Sequence, residues 1–229
     1  MLELPQPWLE DSLEHLDLRR RDRCLVLGCP TRAHLGAVSQ VIGQTAAIVV
    51  VEPDRELAEM AAEARHQNLE VLHYTPRGGE RFGVFDALLA CPLTTMGWSL
   101  SLWADLVVHN LRPGGRFVLD LPAESVCEPL RRAWRELGAD EAVLAPLRGP
   151  TQSEAAEALR DAGLRSVEAA LGTHLVHLED CRVLVDLAGT LPGVKADQLE
   201  DLHHTLVGQF RGLGAVDVVY HRTRVHGLR

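Results

Sequence analysis

Over the first two-thirds of the chain, short uninterrupted apolar runs alternate with stretches whose apolar residues recur every three or four positions. Residues 9–20 place Leu9, Leu13 and Leu16 on one helical face. Cys24 to Leu27 then reads as a buried strand ended by Gly28. Thr31 can cap a helix with Leu35, Val38 and Ile42 on its inner side. Ala46 to Val51 is a second continuous apolar strand, and Pro53-Asp54 opens a helix carrying Leu57, Met60, Ala61 and Ala64. Leu69 to His73 and Val84 to Ala90 predict two further strands. A helix from about Ser99 to Leu111 follows, with Leu100, Trp103, Val107 and Leu111 in register. Arg112-Pro113-Gly114-Gly115 is a turn signal before a fifth strand, Arg116 to Leu121. Val126, Leu130, Trp134 and Leu137 then predict a helix ending at Gly138.

Strands that are apolar throughout, rather than alternating, are buried on both faces. Separated by helices, they imply a parallel sheet covered on each side. The expected fold class is α/β, a doubly wound and mostly parallel sheet. The last third changes rhythm. Thr151 to Glu154 is a capping box before a helix that stops at Gly163, and Leu164 to Leu178 reads as a strand. Two helices near 180–190 and 197–211 are joined by Leu191-Pro192-Gly193, and Ala215 to Arg224 alternates Val216, Val218 and Tyr220 as a strand does. With no repeat and no low-complexity linker, residues 1–229 are expected to form a single domain with a helical insertion at about 180–211.

Composition narrows the function classes. The 229 residues are 46% hydrophobic and 24% charged, which is ordinary globular usage. Their 23 Lys+Arg against 32 Asp+Glu give a formal charge of −9, the wrong sign for a phosphate-backbone binder. Aromatics are 4%, too few for a base-stacking platform, so no nucleic-acid partner is expected. The basic cluster Arg19, Arg20, Arg21 and Arg23 is interrupted by Asp22 and reads as a solvated helix end. No run approaches the length of about 18 apolar residues that a membrane span needs, and the N-terminus lacks a signal-peptide pattern. Cys24, Cys29, Cys91, Cys127 and Cys181 are odd in number and contain no C-x-x-C, which is neither a disulfide framework nor a zinc ribbon. A cytoplasmic location is expected.

The segment Phe85 to Ala90, a helix of about three turns, and Leu111-Arg112-Pro113-Gly114-Gly115-Arg116-Phe117-Val118-Leu119 resemble the fourth strand, helix and fifth strand of class I S-adenosylmethionine-dependent methyltransferases. Leu25-Val26-Leu27-Gly28-Cys29 resembles that family's first strand and nucleotide loop. Val50-Val51-Glu52-Pro53 resembles its second strand with the terminal acidic residue, and Ala162-Gly163-Leu164 resembles part of its C-terminal region. The resemblance spans roughly residues 10–175 and the final strand. It implies a Rossmann-like methyltransferase fold, S-adenosylmethionine as cofactor, and a cofactor site lined by Gly28, Cys29, Glu52, Tyr74 and Cys91, with Glu52 on the ribose hydroxyls. The acceptor would be a small molecule or a protein.

The resemblance also implies residues that are missing here. An acid is implied in the first strand where Val26 stands, and three loop glycines where only Gly28 is in place. Pro30 and Arg32 occupy the other two positions. Proline fixes φ and removes a donor, while a side chain at residue 32 crowds a close ligand. The acid implied after the third strand is absent from His73-Tyr74-Thr75-Pro76, and Cys91-Pro92-Leu93-Thr94-Thr95 brings no charged group after the fourth. Two readings follow. One is a methyltransferase that acts chiefly by positioning donor and nucleophile. The other is a degenerate methyltransferase fold that serves as an interaction or regulatory module for a protein partner. A nicotinamide dehydrogenase stands further off, since no G-x-G-x-x-G follows the first strand.

Remaining constellations read as structural. His174 and His177 point to opposite faces of a strand, and His203-His204 diverge by about 100° on a helix. No metal site and no Ser-His-Asp or paired-carboxylate arrangement is expected. Cys29 lies near a helix N-terminus without an assigned chemical role. Of Trp98 and Trp103, one is expected in the core and the other at a pocket.

Overall fold

The computed structural model describes residues 6–28, 32–64, 66–91, 97–124, 127–189, 191, 193–211 and 214–229. Five strands carry the parallel part of the sheet: β1 (Cys24–Leu27), β2 (Ile48–Glu52), β3 (Leu69–His73), β4 (Phe85–Ala90) and β5 (Leu111–Pro122). The helices between and before them are α1 (Gln6–Leu16), α2 (Arg32–Ile42), α3 (Arg55–Ala62) and α4 (Leu100–Asn110). Beyond β5 come α5 (Glu128–Glu136), a 3-10 turn (Glu141–Leu147), α6 (Gln152–Asp161), β6 (Arg165–Leu178), α7 (Arg182–Gly189), α8 (Ala196–Gln209) and β7 (Val216–Leu228). The seven strands form one sheet in the order β3-β2-β1-β4-β5-β7-β6, and β7 runs antiparallel to both of its neighbours.

The strands obey the pattern that predicted them. Every residue of β1 and β2 is buried, because both faces are covered. Cys24, Val26, Ile48 and Val50 pack against Leu16 of α1, Leu35, Val38 and Ile42 of α2, and Ala61 of α3. Leu25, Leu27, Val49 and Val51 face the other way, toward Trp103, Leu106 and Val107 of α4 and Ala155, Ala156 and Leu159 of α6. A third cluster joins Leu130 and Trp134 of α5, Leu184 of α7, and Leu202 and Leu206 of α8 to Val176 and Val218 on the projecting ends of β6 and β7. The segment expected as a helical insertion thus packs on the β6–β7 ribbon and on α5.

Local differences from the sequence expectation have plain causes. The first helix stops at Leu16, short of residue 20, because Asp17 turns left-handed at φ 47°. Arg19 to Arg23 therefore follow the helix as a loop, where Arg19 pairs with Asp17 at 2.6 Å and Arg23 lies over the Phe85 ring. The Arg112 to Gly115 turn is absorbed into the start of β5 as an irregularity, with register stepping from Phe85↔Leu111 to Ala87↔Arg116. A Cβ on Gly115 would meet the Arg112 carbonyl at 2.9 Å, so this step needs glycine. The capping box forms at both bonds, Thr151 N–H to Glu154 and Glu154 N–H to Thr151 Oγ1. Side chains of Leu9 and Val126, which the periodicity used, lie outside the described residues. The 3-10 turn at Glu141–Leu147 was not anticipated; Asp140 caps it by accepting the Ala142 N–H at 2.9 Å.

Beside the apolar contacts of Leu16, α1 also covers charge on the sheet. Asp120 on β5 receives Arg222 at 2.7 Å and Arg224 at 3.0 Å from β7, and Ser12 of α1 donates to its second oxygen. Asp11 of α1 pairs with both arginines from above. Arg222 is 1% exposed, and burial pushes its guanidinium down to about 10. Removing one partner from a buried ionic cluster strands the opposite charge, at about 3–5 kcal/mol. Asp120→Ala is therefore expected to lower the unfolding free energy by about that amount, whereas Arg148→Ala, which breaks an exposed pair with Glu124 at 2.6 Å, should change it by less than about 1 kcal/mol. Urea unfolding of the two variants checks this, and equal losses would refute the ranking.

Candidate functional site

In the order β3-β2-β1-β4-β5 the strand order reverses between the parallel neighbours β1 and β4, which makes their carboxyl ends the switch point of the sheet. Ligands of open parallel sheets bind outside the carboxyl ends at that point. Four of the five residues expected to line the site are brought to this end. Gly28 follows β1 at φ 77° and donates its N–H to the Val51 carbonyl at 2.9 Å. Glu52 closes β2, Tyr74 follows β3 and donates its N–H to the Glu52 carbonyl at 3.0 Å, and Cys91 follows β4 and donates its N–H to Leu27 at 2.9 Å. Cys29 lies outside the described residues, as do Pro30 and Thr31, and the Arg32 side chain is likewise not described.

The side chains divide by exposure. Glu52 is 0% exposed, and its Oε1 accepts the Asp54 N–H at 2.8 Å across the turn into α3. Asp54 in turn caps α3 through the Leu57 N–H, so the carboxylate sits inside a tight strand-to-helix corner. Tyr74 is 44% exposed. Its hydroxyl donates to Glu80 at 3.4 Å and its ring meets Phe82 edge-on at 5.8 Å. Cys91 is buried with Val26, Ala87 and Val118 in the core beneath α2. Val26, standing where the resemblance implies an acid, is part of that same apolar cluster.

Sequence reasoning passed over two features. His34, in the first turn of α2 directly after the undescribed loop, is 5% exposed, and burial pushes its imidazole down to about 4. Its i, i+4 spacing to Val38 on the buried face was the available signal. The second feature is a cavity of about 150 Å³ bounded by Trp98 and Trp103, Leu121 and Pro122 at the end of β5, and Arg148 to Pro150. Trp103 is buried and Trp98 stacks at a tilt on it, centroids 4.8 Å apart; both rings line the cavity, where only one was expected to. Gly149 makes that corner possible, since a Cβ there would stand 1.6 Å from the Pro122 carbonyl. On the strand, His174 and His177 do part, and His177 instead meets Asp217 at 2.8 Å.

Solved structures share this arrangement. A putative methyltransferase from Bacillus halodurans superposes with TM-score 0.61 at 11% identity, over 96% of this chain and 99% of that one. The YcgJ protein of Bacillus subtilis gives 0.60 at 14%, over 98% and 100%. The chain has the class I methyltransferase fold. A third neighbour, geranyl diphosphate C-methyltransferase from Streptomyces coelicolor, was solved with Mg2+, geranyl diphosphate and S-adenosyl-L-homocysteine; it gives 0.52 at 14%, over 97% and 80%. No family model and no curated protein matches the sequence. Among the described residues, no helix is long and apolar enough to cross a membrane.

His34 gives this methyltransferase-fold crevice a measurable pH signature. Between the ordinary histidine value of about 6.5 and about 4, the unfolded chain takes up a proton that the folded chain refuses. Stability contributed by the neutral ring is thus full above 6.5 and is lost as pH falls toward 4. Lowering pH from 7 to 5 should cost about 2 kcal/mol through this residue. His34→Gln should remove that part, read as a smaller difference between urea unfolding curves at the two pH values. An unchanged difference would show that His34 is not the source.

Proposed function

We propose that this chain keeps the class I methyltransferase fold without S-adenosylmethionine chemistry, and serves as an interaction or regulatory module for a protein partner. The observation that carries the reading is the buried Glu52 carboxylate. In a site of the implied kind this acid accepts hydrogen bonds from both ribose hydroxyls, which requires open space in front of it. Here it has no exposed surface, and one oxygen is taken by the Asp54 N–H. The residues present therefore do not fit the cofactor at that position.

Three features support the same conclusion. Val26 offers hydrocarbon where the implied acid would stand. Pro30 and Arg32 replace glycines whose missing side chains let a ligand come close to the backbone. Tyr74 is the polar group left at the end of β3, and its hydroxyl is engaged with Glu80. The methyltransferase reading keeps one observation in its favour: Gly28, Glu52, Tyr74 and Cys91 still lie together at the carboxyl ends of adjacent strands. An acceptor for that chemistry would be met at the Trp98–Arg148 cavity, beyond the end of β5.

Calorimetric titration with S-adenosylmethionine and with its demethylated product separates the readings. The expected outcome is no saturable heat and no thermal stabilisation with ligand well above about 1 mM. Saturable binding in the micromolar range, weakened about tenfold or more by Glu52→Ala, would overturn the proposal and restore the enzyme.

A further inference from the structure

The helices between β6 and β7 bring together three metal-ligating side chains, two adjacent in the sequence and the third more than twenty residues further on. Asp180 and Cys181 immediately precede α7, and His203 stands on α8. One ligand atom from each lies within 4.8 Å of the other two. Cys181 is 0% exposed and belongs to the apolar cluster of Leu184, Leu202 and Leu206, which packs the two helices together. Asp180 is half-buried, and its Oδ1 accepts the Arg182 N–H at 2.9 Å, so the carboxylate is held in place at the start of α7.

A purely structural role accounts for part of this cluster. Asp180 would serve the helix terminus, and the Cys181 thiol would fill the core while donating to Asp180. That account leaves out His203. Its Nε2 is shielded from solvent and meets no hydrogen-bond partner among the described residues. A buried ring nitrogen left unmatched is costly, so it points to a group that would occupy it.

We propose that Asp180, Cys181 and His203 form a binding site for a borderline-soft divalent ion of the zinc type. One sulfur, one ring nitrogen and one carboxylate oxygen suit Zn2+. Ca2+ and Mg2+ take oxygen ligands instead. Ligand atoms around a tetrahedral ion stand about 3.5 Å apart, so the observed span closes by about an ångström when the ion binds. Binding forms a sulfur–metal bond and breaks the thiol S–H bond. The proton now shared with Asp180 leaves for solvent, and thiolate and carboxylate together neutralise the dication. The three protein ligands leave a fourth position for water. With Leu184, Leu202 and Leu206 as an apolar surround, the ion would tie the start of α7 to α8. The site lies on the β6–β7 side of the molecule, so it does not depend on the fate of the cofactor crevice.

The test uses the full chain, stripped with a chelator and titrated with Co2+ and then Zn2+. One equivalent of Co2+ should produce a thiolate-to-cobalt charge-transfer band in the near ultraviolet. One equivalent of Zn2+ should bleach it and raise the melting temperature. Cys181→Ser should abolish the band. Asp180→Asn retains an oxygen for the Arg182 N–H and should weaken binding by at least the roughly tenfold that loss of an outer-shell partner costs, as should His203→Gln. Absence of the band at full equivalence, or a band that survives Cys181→Ser, would overturn the site. If Cys181→Ser does not fold, unchanged Co2+ affinity in both of the other variants would overturn it equally.

Discussion

The arrangement depends most on the ion cluster around Asp120. Two arginines from β7, one carboxylate from β5 and a hydroxyl and carboxylate from α1 meet under a helix, in space that elsewhere on this face is filled by aliphatic side chains. Hydrophobic burial would seat α1 on the sheet in many orientations, since contact with hydrocarbon is not directional. Charges removed from water accept far fewer, because each must find its partner or pay the full desolvation cost. The Asp120↔Arg224 pairing also sets which residues of β7 lie opposite β5; a slip of one residue would turn both arginines to the other face. Gly172 on β6 leaves the room that Arg222 needs, because a Cβ there would meet its Nε at 2.8 Å.

Much of this fold is legible along the chain. Runs such as Cys24 to Leu27 and Ala46 to Val51 have no polar position at which to face water, and the structure covers them on both sides. Thr151 and Glu154 announce a helix start because both partners of the cap lie within one turn. What the chain conceals is long-range. Asp120, Arg222 and Arg224 look like ordinary strand polar residues, since nothing near them in sequence shows that α1 will cover them. Asp180, Cys181 and His203 are hidden in the same way, and His203 was read only against its neighbour on the helix.

The candidate crevice shows a related limit. The family resemblance implied that Gly28, Glu52, Tyr74 and Cys91 would meet at one end of the sheet, and each does lie at the carboxyl end of its strand. Whether a side chain at that end faces solvent is decided by the corner it occupies. Glu52 turns inward to serve the Asp54 N–H, while Tyr74 lies open. Fold and chemistry are therefore separable here. The backbone path is that of the methyltransferase fold, and a shared path does not by itself carry the chemistry.

The central place of β7 has a consequence for biosynthesis. Ser12 and Arg222 are hydrogen-bonded across 210 residues, and β7 supplies the strand between β5 and β6. While a ribosome is still making the second half of the chain, β1 to β5 can assemble with their helices, but Asp120 has no countercharge and α1 is held by its apolar contacts alone. Beside β5 the growing sheet also presents an open edge, of the kind that pairs readily with other chains. Both exposures end in one step, when residues 222–228 leave the exit tunnel and slot in.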